Sequence, residues 1–82
     1  MSAAPEVILY SRKGCHLCEV VKASLVRLES RAHFTWREID IDADAELLGL
    51  YNEEVPVVFL HGRKAFKYFM DEEEFLRRLA RG

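Results

Sequence analysis

The order of hydrophobic and polar residues predicts a strand followed by an amphipathic helix at the start of the chain. Residues 6–10 contain the continuous apolar run Val7-Ile8-Leu9-Tyr10, whose length is typical of a buried strand. After a polar segment, apolar side chains return every three or four positions between residues 17 and 28. This spacing places them on one face of a helix, which we expect to run from Leu17 to about Arg31.

The middle of the chain predicts three more strands and a short helix, and the last two of these strands form a hairpin. Residues 34–41 are rich in β-branched and aromatic side chains, which favours a second strand. Asp42 is a suitable N-cap for a helix that reaches about Asn52. The apolar run 57–60 predicts a third strand, and His61-Gly62 predicts a tight turn into a fourth strand over residues 63–69.

The last segment carries a complete helix-start pattern. Asp71 is the expected N-cap, Glu74 follows three residues later, and Met70 can contact Phe75 across the first turn. The predicted order is therefore β-α-β-α-β-β-α. Strands joined through a helix are expected to be parallel and strands joined by a tight turn antiparallel. We therefore predict an α/β fold in which three helices flank a mixed four-stranded sheet.

Composition narrows the functions that this fold can have. The chain has 82 residues, half of them hydrophobic, and a net charge of -2, so we expect a single domain that binds neither nucleic acid nor a membrane surface. The longest apolar run, residues 55–60, is far shorter than the ~20 residues of a membrane span. Residues 1–5 lack the basic start and apolar core of a signal peptide, so we expect a location in the reducing cytoplasm.

The chemistry of this chain is expected at its two cysteines, Cys15 and Cys18. They lie at the turn between the first strand and the first helix, where backbone N–H groups have no helical partner. These donors and the helix dipole lower the pKa of a thiol from about 8.5 to roughly 3.5–7.5, which yields a nucleophilic thiolate at neutral pH. In a reducing compartment, this spacing indicates a catalytic or metal-binding pair rather than a structural disulfide.

Two basic residues precede the cysteine pair. Arg12 and Lys13 lie in the polar loop between the first strand and Cys15. They could stabilise a thiolate or attract the carboxylate of an anionic substrate. Basic loop residues are also often simply solvated, and the sequence leaves both interpretations open.

The element order, the Cys-x-x-Cys at the first strand-to-helix turn and Val55-Pro56 before the third strand together resemble the thioredoxin fold, and most closely the glutaredoxin-like proteins. The Cys-His-Leu-Cys centre at residues 15–18 is similar to that of a small subgroup of them. The resemblance covers nearly the whole chain. It implies a thiol–disulfide oxidoreductase for thiol-based electron transport, acting on protein or small-thiol disulfides. We expect a monomer that requires no cofactor, with glutathione as a candidate reductant or co-substrate.

The resemblance also implies a role for each residue of the site. Cys15 would be the attacking cysteine, and Cys18 the resolving one that displaces the substrate from a mixed disulfide. Pro56 would follow a cis peptide bond and lie against the two sulfurs. The main-chain groups of Val55 would then face the site and pair with a bound peptide or thiol.

Two departures from the glutaredoxin pattern concern substrate binding. Phe66-Lys67 stands where typical glutaredoxins carry Gly-Gly; bulk at Phe66 could close the glutathione groove, or Lys67 or Arg12 could contact a carboxylate instead. His16-Leu17 stands between the cysteines in place of the usual Pro-Tyr, and His16 either favours the Cys15 thiolate as a cation or faces solvent. The candidate substrate-binding residues are Arg12, Lys13, His16, Val55, Pro56 and Lys67.

The sequence also allows functions other than disulfide reduction. An iron–sulfur cluster bridging two chains through Cys15 would make the protein a cluster carrier, and a brown dimer after anaerobic reconstitution would support that function. A redox-silent interaction module would keep the fold without the chemistry, but the intact cysteine pair argues against it. Structural zinc would need two further ligands. The histidines, His16, His33 and His61, fit no common zinc-finger spacing, so we expect no metal.

Overall fold

Four strands form one mixed sheet in the structure, a computed structural model that describes residues 4–81. The strands are β1 (Glu6–Ser11), β2 (Thr35–Asp40), β3 (Val57–Leu60) and β4 (Arg63–Lys67). β1 pairs with β2 in parallel and with β3 in antiparallel orientation, and β3 pairs with β4 in antiparallel orientation. The strand order is therefore β2-β1-β3-β4, which confirms the predicted mixed sheet.

Three helices cover the two faces of this sheet. They are α1 (His16–Leu28), α2 (Ala45–Tyr51) and α3 (Glu72–Arg81), and a 3₁₀ turn (Ile41–Ala43) follows β2. The core lies between one face of the sheet and the helices α1 and α3. Its buried side chains are Val7, Leu9, Val21, Leu25, Leu28, Phe34, Val58, Leu60 and Phe75. On the opposite face, Tyr10 and Phe59 of the sheet pack against Tyr51 of α2, with ring centroids 5.0 and 6.1 Å from that of Tyr51.

The start of α2 differs from the sequence prediction. Asp42 was expected to cap this helix, but the carboxylate of Asp40 accepts the N–H of Asp42 and starts the 3₁₀ turn instead. The helix begins after Asp44, whose carboxylate accepts the N–H groups of Glu46 and Leu47. The prediction failed because three aspartates lie within five residues and each can cap a helix.

β4 and α1 both end earlier than the sequence predicts, and the predicted start of α3 is confirmed. β4 ends at Lys67 because Tyr68 has a φ of 69°, a left-handed conformation that breaks the strand. α1 ends at Leu28 rather than near Arg31. The carboxylate of Asp71 accepts the N–H of Glu74 at 3.1 Å, as the helix-start pattern predicts. Within residues 4–81, no helix combines the length and the apolar character that crossing a membrane requires.

Candidate active site

Cys15 is the N-cap residue of α1. Its backbone is extended, with φ -92° and ψ 108°, and His16 is the first residue of the helix. Gly14 has a φ of 75°, a conformation that glycine adopts at little cost, and so turns the loop into the helix. The sulfur of Cys15 accepts the N–H of Cys18 at 3.1 Å. The sulfur therefore occupies the place where an N-cap side chain satisfies a free N–H of the first turn.

The two cysteines differ in their access to solvent. They are joined by a disulfide, and their Cα atoms are 5.2 Å apart. Cys15 is partly exposed, whereas Cys18 is fully buried on the inner face of α1 beside Val21. A partner approaching from solvent can therefore reach the sulfur of Cys15 but not that of Cys18.

Val55 and Pro56 lie at the same end of the sheet as the cysteines. Tyr10 of β1 faces Val57 of β3, and continuing this antiparallel register places Pro56 opposite Ser11. Val55 precedes Pro56 at this same end of the sheet. The Val55–Pro56 peptide bond is cis, and Pro56 is buried.

Arg12 is already engaged within the protein. Its Nε and Nη2 donate to the two carboxylate oxygens of Asp42, at 3.3 and 2.7 Å. Its Nη1 donates to the side-chain and main-chain oxygens of Asn52, at 2.7 and 3.3 Å. The sequence left open whether Arg12 contacts a thiolate or substrate carboxylate or is simply solvated, whereas the structure gives this guanidinium a carboxylate of the same chain.

The three other basic candidates are exposed. Lys13 and His16 lie two residues before and one residue after Cys15. Lys67 ends β4 opposite Val57, and its Nζ is 5.5 Å from the ring centroid of Tyr68. The structure therefore brings Lys13 and His16 to the mouth of the cysteine pair, and it places Lys67 two strands away at the same end of the sheet.

Tyr68, and not Phe66, is the aromatic residue whose main chain contacts Pro56. The N–H of Tyr68 donates to the carbonyl of Pro56 at 2.8 Å, and its hydroxyl donates to the carbonyl of Glu53 at 3.0 Å. The ring of Phe66 instead packs on the core, with the guanidinium of Arg78 5.1 Å from its centroid. The sequence left open whether the bulk of Phe66 closes the glutathione groove, and in the structure this ring packs against the core and Arg78 of α3.

Ser11, Glu38 and Lys22 form a polar network beside α1 that no sequence motif indicates. The buried hydroxyl of Ser11 donates to Glu38 at 2.7 Å, and the Nζ of Lys22 lies 3.1 Å from the other oxygen of that carboxylate. The hydrogen bond from Ser11, and then that from Lys22, lower the pKa of Glu38. The parallel register places Glu38 opposite Leu9 and hence on the face that Ser11 shares. The network ties α1 to the sheet one turn beyond Cys18.

The residues that the structure describes contain no cluster of side chains suited to bind a metal ion. Among residues 4–81, no three His, Cys, Asp or Glu side chains gather closely enough to hold a metal ion. His61 lies far from the cysteines in the fold, where its Nε2 is 3.2 Å from the carbonyl oxygens of Arg78 and Leu79. Both cysteines are in the disulfide.

Comparison with known proteins assigns the chain to a family. The family model described as "Glutaredoxin-like domain (DUF836)" matches residues 6–80. The chain belongs to this glutaredoxin-like family. The match spans the cysteine pair and Val55-Pro56, and it confirms the resemblance inferred from the sequence.

The chain is also similar to proteins and solved structures from several organisms. The solution NMR structure of protein Ne2328 from Nitrosomonas europaea has a TM-score of 0.80 and 34% identity, covering 94% of this chain and 93% of that one. An uncharacterized protein of Mycobacterium tuberculosis strain H37Rv is 33% identical over 82 residues, which is 94% of this chain and 84% of the relative. A glutaredoxin of Archaeoglobus fulgidus shares the fold, with a TM-score of 0.62 at 24% identity over 95% of this chain and 88% of that one.

Proposed function

We propose that this glutaredoxin-like protein is a thiol–disulfide oxidoreductase that cycles between the Cys15/Cys18 dithiol and the disulfide. The observation that carries the proposal is the hydrogen bond from the N–H of Cys18 to the sulfur of Cys15, at 3.1 Å. After reduction, the same donor and the positive end of the α1 dipole favour the thiolate of Cys15 over its thiol. Family membership supports the same chemistry.

The reaction follows from the unequal access of the two sulfurs. The Cys15 thiolate attacks one sulfur of a substrate disulfide, which forms a mixed disulfide and releases the other substrate sulfur as a thiolate. Cys18 attacks the Cys15 sulfur and passes its proton to the departing substrate sulfur, which forms the internal disulfide and releases the second half of the substrate as a thiol. The substrate gains two electrons and the protein dithiol loses two. The joined cysteines of the structure are the oxidised end of this cycle.

The proposed substrates are protein disulfides or small-thiol disulfides, with glutathione as the candidate reductant that restores the dithiol. The main chain of Val55 is proposed to pair with the substrate backbone, because it lies at the cysteine end of the sheet. Lys13, His16 and Lys67 are exposed around that end and are proposed to contact substrate carboxylates.

The test compares the parent protein with Cys15→Ser and Cys18→Ser in two assays, reduction of a glutathione mixed disulfide and reduction of insulin. We expect Cys15→Ser to lose all activity in both assays. Continued turnover of glutathione adducts by Cys18→Ser would identify glutathione adducts as substrates. A requirement for both cysteines in insulin reduction would identify protein disulfides. Full activity of a folded Cys15→Ser variant, or inactivity of the parent in both assays, would contradict the proposal.

A further inference from the structure

We infer that Arg12 is a positioning residue that holds Cys15 in place by binding Asp42 and Asn52, rather than a direct partner of the thiolate or of a substrate. We name these three residues the Arg12 clamp. The inference rests on the proposed function, in which Cys15 is the attacking group. Arg12 thus acts on Cys15 through the shape of the loop, a role that its position in the sequence does not indicate.

The clamp joins three separate parts of the fold. Arg12 follows the last residue of β1, Asp42 lies in the 3₁₀ turn after β2, and Asn52 is the C-cap of α2. The guanidinium makes four hydrogen bonds of 2.7 to 3.3 Å to the other two residues. Its contact with Asp42 uses both carboxylate oxygens, a two-point geometry that a planar guanidinium offers and a lysine ammonium does not.

The loop between the clamp and Cys15 is exposed to solvent. Lys13 and Gly14, the residues between Arg12 and Cys15, are both exposed. α2 contains no buried residue, although Tyr51 stacks on Tyr10. The network of Ser11, Glu38 and Lys22 holds the end of β1 and the body of α1, and the clamp adds a fixed point on the loop between them.

The position of the Cys15 sulfur depends on that geometry. The sulfur meets the N–H of Cys18 because residue 15 is extended while residue 16 is helical. The direction in which the loop enters α1 sets these backbone angles. A loop released from the clamp would keep the sulfur at this hydrogen bond for less of the time, and the thiolate would lose part of its stabilisation.

The clamp also cancels the charge of Arg12. Its ion pair with Asp42 is 2.7 Å long, so the pair presents little net charge to the cysteine. The other charged groups around this end of the sheet are Lys13, His16, Glu19 and Lys22 on the segment of Cys15 and α1, Glu38 and Asp40 at the end of β2, and Lys67 across the sheet. They remain the same in every variant proposed below.

The two possible roles of Arg12 predict opposite effects of Asp42→Asn. If Arg12 stabilised the thiolate by its charge, removing the Asp42 carboxylate would free that charge, and Cys15 would react faster with iodoacetamide. A positioning role predicts slower alkylation at pH 7 and a pH profile displaced to higher pH. The measurement uses reduced protein carrying Cys18→Ser, so that Cys15 is the thiol that reacts.

We expect Asp42→Asn and Arg12→Lys to slow alkylation by similar factors, on the order of threefold to tenfold, as suits the loss of a charge-assisted hydrogen-bond pair. Arg12→Lys keeps the charge and loses the two-point contact. Asn52→Ala removes one of the four hydrogen bonds and should give a smaller effect of the same sign. This milder variant keeps the test decisive if Asp42→Asn does not fold.

Arg37→Lys is the matched control, because Arg37 forms an exposed ion pair with Glu6 at 3.4 Å near the beginning of β1. We expect it to leave alkylation unchanged. Faster alkylation in Asp42→Asn, or unchanged rates and pH profiles in folded Asp42→Asn and Arg12→Lys, would overturn the inference. Alkylation needs no turnover, so slowed alkylation in a protein that reduces no disulfide would support the clamp and refute the proposed function.

Discussion

The sulfur of Cys15 accepts a hydrogen bond that an N-cap oxygen usually accepts, from the N–H of Cys18 at 3.1 Å. Serine, threonine, aspartate and asparagine are the common N-caps, because their oxygen reaches the N–H groups of the first turn. Here a cysteine side chain takes that place. The residue that ends the loop is therefore also the candidate nucleophile, and helix capping and reactivity depend on the same contact.

This dual use gives a prediction for stability. Cys15→Ser keeps a capping oxygen and Cys15→Ala does not, so the alanine variant should be less stable by about 1 kcal/mol. Both variants lack the disulfide, and urea unfolding of the two measures the difference. His16→Ser and His16→Ala are the control, since at this first helical position alanine should be the more stable by about 0.5 kcal/mol. An alanine at residue 15 that matches serine would contradict the capping role.

α3 shows at the scale of an element how one carboxylate can organise a helix surface. The two oxygens of Glu74 lie 2.7 Å from Arg77, 2.9 Å from Arg78 and 3.6 Å from Arg81. The hydrogen bonds from Arg78 and then Arg77 lower the pKa of Glu74 to about 2. Arg78 also donates to the carbonyl of Ala65 and so connects the helix to β4.

The lowered pKa of Glu74 predicts a pH-dependent contribution to stability. The unfolded chain binds this proton near pH 4.5 and the folded chain near pH 2, so the contribution is complete above 4.5 and is lost as the pH falls through about 2. Glu74→Gln should therefore lower the melting temperature at pH 7, and the difference from the parent should vanish near pH 2. Thermal unfolding across this range measures it.

The control for this experiment is Glu73→Gln. Glu73 is the exposed neighbour of Glu74 and forms no ion pair within residues 4–81. Its replacement should shift the melting temperature little at any pH. A difference for Glu74→Gln that stays constant down to pH 2 would show that the carboxylate charge is not the cause.

The whole molecule is held together by the core between the sheet and the helices α1 and α3. Phe75 of α3 is fully buried there, and its ring meets that of Phe34 edge to face, with centroids 5.2 Å apart. Phe34 comes just before β2, whereas Phe75 belongs to the last helix. Their contact therefore joins the first half of the chain, which carries the cysteines, to the second half.

This contact predicts a large loss of stability. Phe75→Ala should cost about 3–5 kcal/mol. A small domain has a total stability of about 5–15 kcal/mol, so the variant should unfold at far lower urea concentration or be largely unfolded in buffer. Phe69→Ala is the matched control, because Phe69 is 71% exposed and its loss should change stability by about 0.5 kcal/mol or less. Equal effects of the two substitutions would contradict this account of the core.

The sequence by itself determined the order of the elements, the mixed sheet and the place of the cysteine pair. These features depend on local causes, namely the periodicity of apolar residues and the side chains that can cap a helix. Asp71 and Glu74 predict the start of α3 correctly because the capping contact lies within four consecutive residues. Where several residues satisfy the local rule, it does not choose between them, and so Asp42 was mistaken for the cap that is Asp44.

The tertiary structure alone decided what Asp42, Arg12 and Glu38 contact. Arg12 meets Asp42 across 30 residues of chain, and Ser11 meets Glu38 across 27. Such pairs form because β2 lies beside β1 in a parallel register, which brings the C-terminal ends of both strands to the same end of the sheet. The hydrophobic pattern of one strand shows which side chains share a face, but it does not show which residue of the neighbouring strand lies opposite, since that pairing is fixed when the strands and helices pack together.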